Sequence, residues 1–243
     1  MADVAEVADD IFRVNLPVAP DFDVSFFVIR DEAPTLVETG FRRAFTETYE
    51  AVRQLIDPTT LRYIVIPHLE GDESGALNHF LEQAPHAVAV GSPIGVATNL
   101  TDFAVREPLA VDDSDVLDLG KHRLRCLVTP YVHQWDSMLP YEQATGTLFS
   151  SDVFITPRMD DQAITDADHT DAMLEGYKTI GIFPSRAHLG AALDKIDAVA
   201  PRTLACHHGS VKGGQVGAYL RALREHDVTG LTDWNPMQEP PGQ

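Results

Sequence analysis

The sequence predicts an α/β chain folded as an αββα sandwich, two sheets face to face with helices outside. Three observations carry that prediction. The first third is a run of short strands broken by Pro, Asp and Gly, the pattern of an antiparallel meander. Residues 61–90 then read strand, loop, helix, strand, which is an α/β unit. The second half mixes further strands with three helical stretches, so each half supplies both a sheet and a helical cover.

Taken in order, residues 11–16 and 24–29 are the first strands, the second a continuous β-branched and aromatic run. Residues 36–40 form a third after a Glu-Ala-Pro turn. A helix follows over 43–55, with Ala44, Tyr49, Val52 and Leu55 roughly on one face and Pro58 beyond its end. Residues 61–66 read as a buried strand ended by Pro67, 68–75 as a polar loop, 76–83 as a helix and 87–90 as a strand. Strands return near 116–119, 124–129 and 147–149. Helices are expected over 171–180, 185–199 and 214–224, with a strand at 202–206 between the last two. No repeat, low-complexity tract or linker divides the chain. A single domain over residues 1–234 is expected, with the proline-rich segment 235–243 as a loose tail.

The chain has 243 residues, 44% hydrophobic and 23% charged, enough to bury a substantial core. Its net charge of −19 repels phosphate backbones and anionic membranes, so neither nucleic acid nor a membrane surface is an expected partner. A solvating acidic surface is the plainer reading. The two cysteines, Cys126 and Cys206, make no disulfide framework and fit a reducing compartment. The acidic N-terminus lacks the marks of a signal peptide, and no apolar run is long enough to cross a bilayer. A soluble, cytoplasmic protein is expected.

The chemistry gathers at strand ends. His68, Glu70, Asp72 and Glu73 crowd the loop after residues 61–66, with Gly71 placed to let the backbone turn. An imidazole among several carboxylates is costly to enclose unless a cation neutralises it. His133 lies just past a second strand, Asp152 at the end of a third, and His207-His208 at the end of a fourth. Four strand ends each offering a ligand indicate a metal centre. No Gly-x-Ser-x-Gly elbow, Gly-x-Gly-x-x-Gly or Walker-type loop offers another chemistry. The set is rich in imidazole and carboxylate and contains no thiolate, which suits Fe or Mn over a structural zinc. Two such metals could bind O₂ or NO and supply electrons, or could activate water for hydrolysis.

The pattern His68-x-Glu70-x-Asp72, then His133, Asp152 and His208, resembles that of the metallo-β-lactamase superfamily. It is most similar to the di-iron domain of flavodiiron proteins and related oxygen-binding di-iron proteins. Glu70 stands where the hydrolase motif has His, as in the di-iron branch. The phrases from His68 to Gly75, His133 to Met138, Phe149 to Phe154 and His208-Gly209 carry the likeness, which spans about Phe12 to Tyr219. The resemblance implies one iron on His68, Glu70 and His133, another on Asp72, residue 73 and His208, and Asp152 bridging. The family has His where this chain has Glu73. A carboxylate there is a harder ligand favouring an oxygen-loving metal, or else it swings away.

The resemblance further implies a non-haem di-iron protein that binds or reduces O₂ or NO, or an oxygen sensor. Two Fe are expected, with Mn or Zn as alternatives. FMN is not expected in this chain, which stops soon after Gly209, so a flavin-bearing or other redox protein would supply electrons. A homodimer is a further expectation. The rival is a dinuclear metallohydrolase acting on an ester, thioester or phosphodiester. Tyr177 reads either as a core-edge tyrosine or as a hydrogen-bond donor to bound oxygen. Trp135 and Met138 read as pocket wall, and Cys206 as core. Strand alternation would point His207 away from His208. His79 and His86 read as surface residues, and His122, His169, His188 and His226 read as lying in polar or helical contexts outside the ligand set.

Overall fold

Alternation along the strands sorts the apolar side chains into three cores. The computed structural model describes residues 2–159 and 162–230. On one strand, Phe26 and Val28 face a core shared with Val52, Leu77 and Phe80, while Phe27 and Ile29 face a second core with Val65, Leu124 and Phe149. On another, Leu204 faces a third core with Met173, Leu193 and Leu223, while Ala205 returns to the second. Helix, sheet, sheet, helix is therefore the layer order, as the sequence predicts.

The first sheet runs in the order β1 (Asp3–Ala8), β2 (Ile11–Ala19), β3 (Phe22–Ile29), β4 (Thr35–Val37), β5 (Tyr63–Val65), β6 (Val88–Gly91) and β7 (Leu109–Ala110). Its first four strands pair antiparallel, and β4 to β7 pair parallel. The second sheet contains β8 (Val116–Asp118), β9 (Arg123–Val128), β10 (Met138–Glu142), β11 (Thr147–Ser151), β12 (Ile164–Thr165), β13 (Thr203–Cys206) and β14 (Val211–Lys212), in the spatial order β12-β14-β13-β11-β10-β9-β8. Helices Phe45–Arg53 and Leu77–Gln83 cover the first sheet. Helices Thr170–Ile180, Arg186–Val199 and Val216–Glu225 cover the second.

Five strands and a helical segment go beyond the expected elements; three of the strands, β7, β12 and β14, are only two residues long. β1 hides in an acidic, alanine-rich stretch, where small and charged residues blur the period-two pattern. β10 contains Pro140, and proline argues against an inner strand. It is tolerated because β11 pairs only with Tyr141 and Glu142. Residues 93–103 are helical, opened by Ser92, whose hydroxyl accepts from the Gly95 amide. The segment expected as a tail, 235–243, lies outside the described residues. No helix among the described residues is long and apolar enough to cross a membrane.

Candidate metal centre

Five strand ends meet between the sheets. The loop after β5 brings His68, Glu70, Asp72 and Glu73, closed by the Ser74 amide and hydroxyl donating to the Glu70 carbonyl at 2.8 and 2.6 Å. The Thr39 amide and hydroxyl both donate to the Glu73 carbonyl, tying this loop to the end of β4. The glycine the loop requires is Gly75, where a Cβ would lie 2.8 Å from the Arg42 amide nitrogen; at Gly71 a Cβ meets nothing within 4 Å. His133 follows β9, Asp152 follows β11, and His207 and His208 follow β13.

The turn after β13 is clamped from the first sheet. The Asp23 carboxylate accepts from the Gly209 amide at 2.8 Å and from Arg13 at 2.8 Å, and Arg13 also donates to the Gly209 carbonyl. Gly209 has φ +75°, and a Cβ there would lie 2.7 Å from the Thr156 carbonyl oxygen. The Ser25 amide donates to the His207 carbonyl at 2.8 Å.

Among the described residues the side chains fall into three groups of potential ligands, two of them around Asp152 and a third of Glu38, Glu73 and His207. His68, Glu70, His133 and Asp152 offer atoms all within 4.8 Å of one another, and so do Asp72, His207 and His208. In the first group His68 Nε2 lies 3.0 Å from Glu70 Oε2, and His133 Nε2 lies 2.9 Å from Asp152 Oδ2 and 3.2 Å from Glu70 Oε2. In the second, Asp72 Oδ2 lies 3.6 Å from His207 Nε2 and 3.7 Å from His208 Nε2. Asp152 belongs to both: Oδ2 faces His68 and His133, and Oδ1 faces His208 Nε2 at 3.5 Å.

Imidazoles and carboxylates facing one another share protons. Burial would lower His133, but hydrogen bonds to Asp152 and Glu70 overcome it and raise it to about 9. His68 is likewise held well above its usual value, Glu73 and Glu70 outweighing its burial. Hydrogen bonds from His133 and His68 hold the Glu70 carboxyl down at about 2. Burial pulls the other way on Asp152 and Asp72, yet neighbouring imidazoles keep both carboxyls low. His208 is lowered, by burial and then by His207 beside it.

Several expectations are corrected. His207 does not point away: β13 ends at Cys206, so alternation stops before it and its ring packs 4.5 Å from that of His208. Glu73 is fully buried, with His68 Nδ1 at 3.0 Å and the Ser151 hydroxyl donating to its other oxygen. Tyr177 donates its single proton to the Asp152 carbonyl at 2.7 Å and accepts from the Ile155 amide at 3.0 Å. Its O–H is thus committed to the backbone that carries Asp152, not aimed at a bound oxygen. Met138 lies in the core between the sheets, and Trp135 is 45% exposed and away from the cavity. The cavity, about 300 Å³, is walled instead by Phe22, Ile155, Met173, Ile180 and Ile182. His122, outside the ligand groups, is buried with Nδ1 3.3 Å from Glu142. Glu38 was not singled out by sequence: it read as part of a strand, but β4 stops at Val37 and Glu38 turns to His207 with φ +68°.

Fold and site together define a metallo-β-lactamase sandwich with groups of side chains that could hold metal ions at its strand ends. The chain belongs to the ODP family of β-lactamase proteins, whose family model matches residues 23–209. It is 34% identical over 202 residues to the putative diflavin flavoprotein A 1 of Nostoc sp., covering 80% of this chain and 34% of that protein. It is 27% identical over 255 residues to the flavo-diiron protein FprA2 of Clostridium acetobutylicum, covering 96% of this chain and 64% of that protein. The chain thus spans roughly a third to two thirds of the length of these relatives. The rubredoxin oxygen:oxidoreductase of Desulfovibrio gigas superposes with a TM-score of 0.83 at 23% identity, over 92% of this chain and 61% of that one. That likeness shows the fold.

Proposed function

We propose that the chain is a non-haem di-iron protein that binds or reduces O₂ or NO, with electrons delivered by a separate redox partner. The observation that carries this is Asp152, which turns one carboxylate oxygen to each ligand group. A buried carboxylate shared between two clusters is the arrangement that spans two cations. The donor set fits iron: imidazoles and carboxylates, with Cys206 turned instead to Ser150 and the Phe154 carbonyl. Asp152 Oδ1 and His207 Nε2, both buried in the cluster, lack a hydrogen-bond partner, as atoms reserved for a metal do, and so does Glu73 Oε2 beside His68 Nδ1.

In this reading His68, Glu70 and His133 hold one metal, Asp72 and His208 the other, and Asp152 both. Iron held there would offer open positions to a diatomic gas and pass on electrons received from the redox partner. The chain's own residues shape access. The apolar wall suits an uncharged diatomic. Among the described residues lining the cavity there is no Lys or Arg to clamp a phosphodiester, and Asp21 and Glu70 would repel one.

The test is oxygen uptake and NO consumption by the Fe(II)-loaded chain, alone and with an added flavin-bearing reductase and NADH. Uptake that depends on the reductase supports the reading, and reversible O₂ binding without turnover assigns a sensor within it. Zinc-dependent ester or thioester cleavage with no reaction of the iron form toward O₂ or NO overturns it.

A further inference from the structure

Resting on the di-iron reading, the structure assigns His207, in place of residue 73, as the second imidazole of the second metal, oriented by Glu38. Three observations converge. First, His207 Nε2 and His208 Nε2 stand 3.6 and 3.7 Å from the same oxygen, Asp72 Oδ2. Those separations are long for hydrogen bonds. They lie close to the edges of a coordination shell, since bonds of about 2.1 Å place neighbouring ligands roughly 3.0–3.4 Å apart. Second, His207 Nε2 is buried with no hydrogen-bond partner, so the atom lacks a structural use.

Third, His207 is held as His68 and His208 are. A metal-binding imidazole commonly donates its other N–H to an acceptor outside, which fixes tautomer and ring plane. His68 Nδ1 faces Glu73 at 3.0 Å, and His208 Nδ1 donates to the Asp23 carbonyl at 2.6 Å. His207 Nδ1 faces Glu38 Oε2 at 2.5 Å. In all three rings Nε2 is left to point inward.

Glu73 does not fit the ligand place. Its Oε1 accepts from the Ser151 hydroxyl, and its Oε2, although it makes no hydrogen bond, lies 3.0 Å from His68 Nδ1, the outer nitrogen of that ring. The close group Glu38, Glu73 and His207 lies on the Nδ1 side of the rings, where each carboxylate already serves an imidazole. The chain has thus moved an imidazole from position 73 to position 207 and given position 73 an orienting role. The second metal keeps a neutral nitrogen donor rather than gaining an anionic oxygen.

Anaerobic Fe(II) titration, read as iron per chain, separates the assignments. The unaltered chain should take two irons. His207→Gln should take one. Glu73→Gln should still reach two at saturation, with the first held about tenfold or more weakly because His68 loses its acceptor. Glu73→Gln falling to one while His207→Gln keeps two overturns the assignment. Fewer than two in the unaltered chain overturns the di-iron reading and the assignment with it. Far-UV circular dichroism checks each variant for folding. Should His207→Gln not fold, anomalous diffraction at the iron edge from the iron-loaded unaltered chain decides: iron about 2.1 Å from His207 Nε2 supports the assignment, and iron on Glu73 overturns it.

Discussion

The two ligand groups differ in how they are held. His68, Glu70, His133 and Asp152 are knitted to one another by contacts of 2.9–3.2 Å. Asp72, His207 and His208 stand 3.6–3.7 Å apart and are held from behind, by Glu38 and the Asp23 carbonyl. The first group is organised by its own proton-sharing; the second is organised by acceptors that are not ligands. A site of the first kind is the more sensitive to pH, with Glu73 beside His68 as its outer support, and one of the second kind depends chiefly on its supporting residues.

Asp152 is common to both groups, so its replacement has the largest effect. Asp152→Ala should reduce bound iron from two per chain to well under one, measured by elemental analysis, because two cations would repel across an unbridged gap. Losing only one iron would show that Asp152 serves a single group. Glu38→Gln should touch only the second group: its metal should weaken by about 10–100-fold while the first is unchanged. Equal weakening of both, in competition titrations with a chelator, would erase the contrast drawn above.

The first group should also set a pH signature. His133 titrates at about 9 in the folded chain, above its ordinary value near 6.5. Its contribution to stability is therefore complete below about pH 6.5 and lost as pH rises through 9. Glu70, held at about 2, contributes above roughly pH 4.3 and loses that contribution as pH falls toward 2. Chelator-stripped protein should melt at progressively lower temperature from pH 6.5 to 9. Iron uptake at pH 7 should release protons, and the loaded chain should not show the alkaline decline. A stripped chain whose melting temperature rises over that range would contradict the proton-sharing account.

The smallest effect is expected from Tyr177→Phe. It strands the buried Asp152 carbonyl and Ile155 amide, costing about 1–3 kcal/mol of stability. Both irons should remain at saturation. Loss of metal without loss of stability would mean that the hydroxyl acts on the site directly.

Much of this was legible because ligands at strand ends punctuate hydrophobic runs. The β5 loop, the Asp152 position and the His pair stand out as polar clusters where apolar strands stop. The sandwich itself follows from strand-rich and helical stretches in both halves. What stayed hidden depended on where strands terminate to within a residue. Glu38 falls inside the expected strand 36–40 and His207 under period-two alternation, but β4 and β13 end one residue before them, and the chain is free to turn each side chain inward. Glu73 was read by position in a motif, whereas its orientation is set by Ser151 and His68, which lie elsewhere in the sequence. β10 was masked by a proline whose tolerance depends on the short pairing with β11.

The central claim is that Asp152 joins two irons in one pocket. Mössbauer spectroscopy on the chain loaded with iron-57 and then oxidised, with iron quantified on the same sample, tests it most directly. The account predicts two irons per chain with magnetically coupled spins, as a shared bridge requires. One iron per chain, or two that behave as isolated paramagnets, would contradict it.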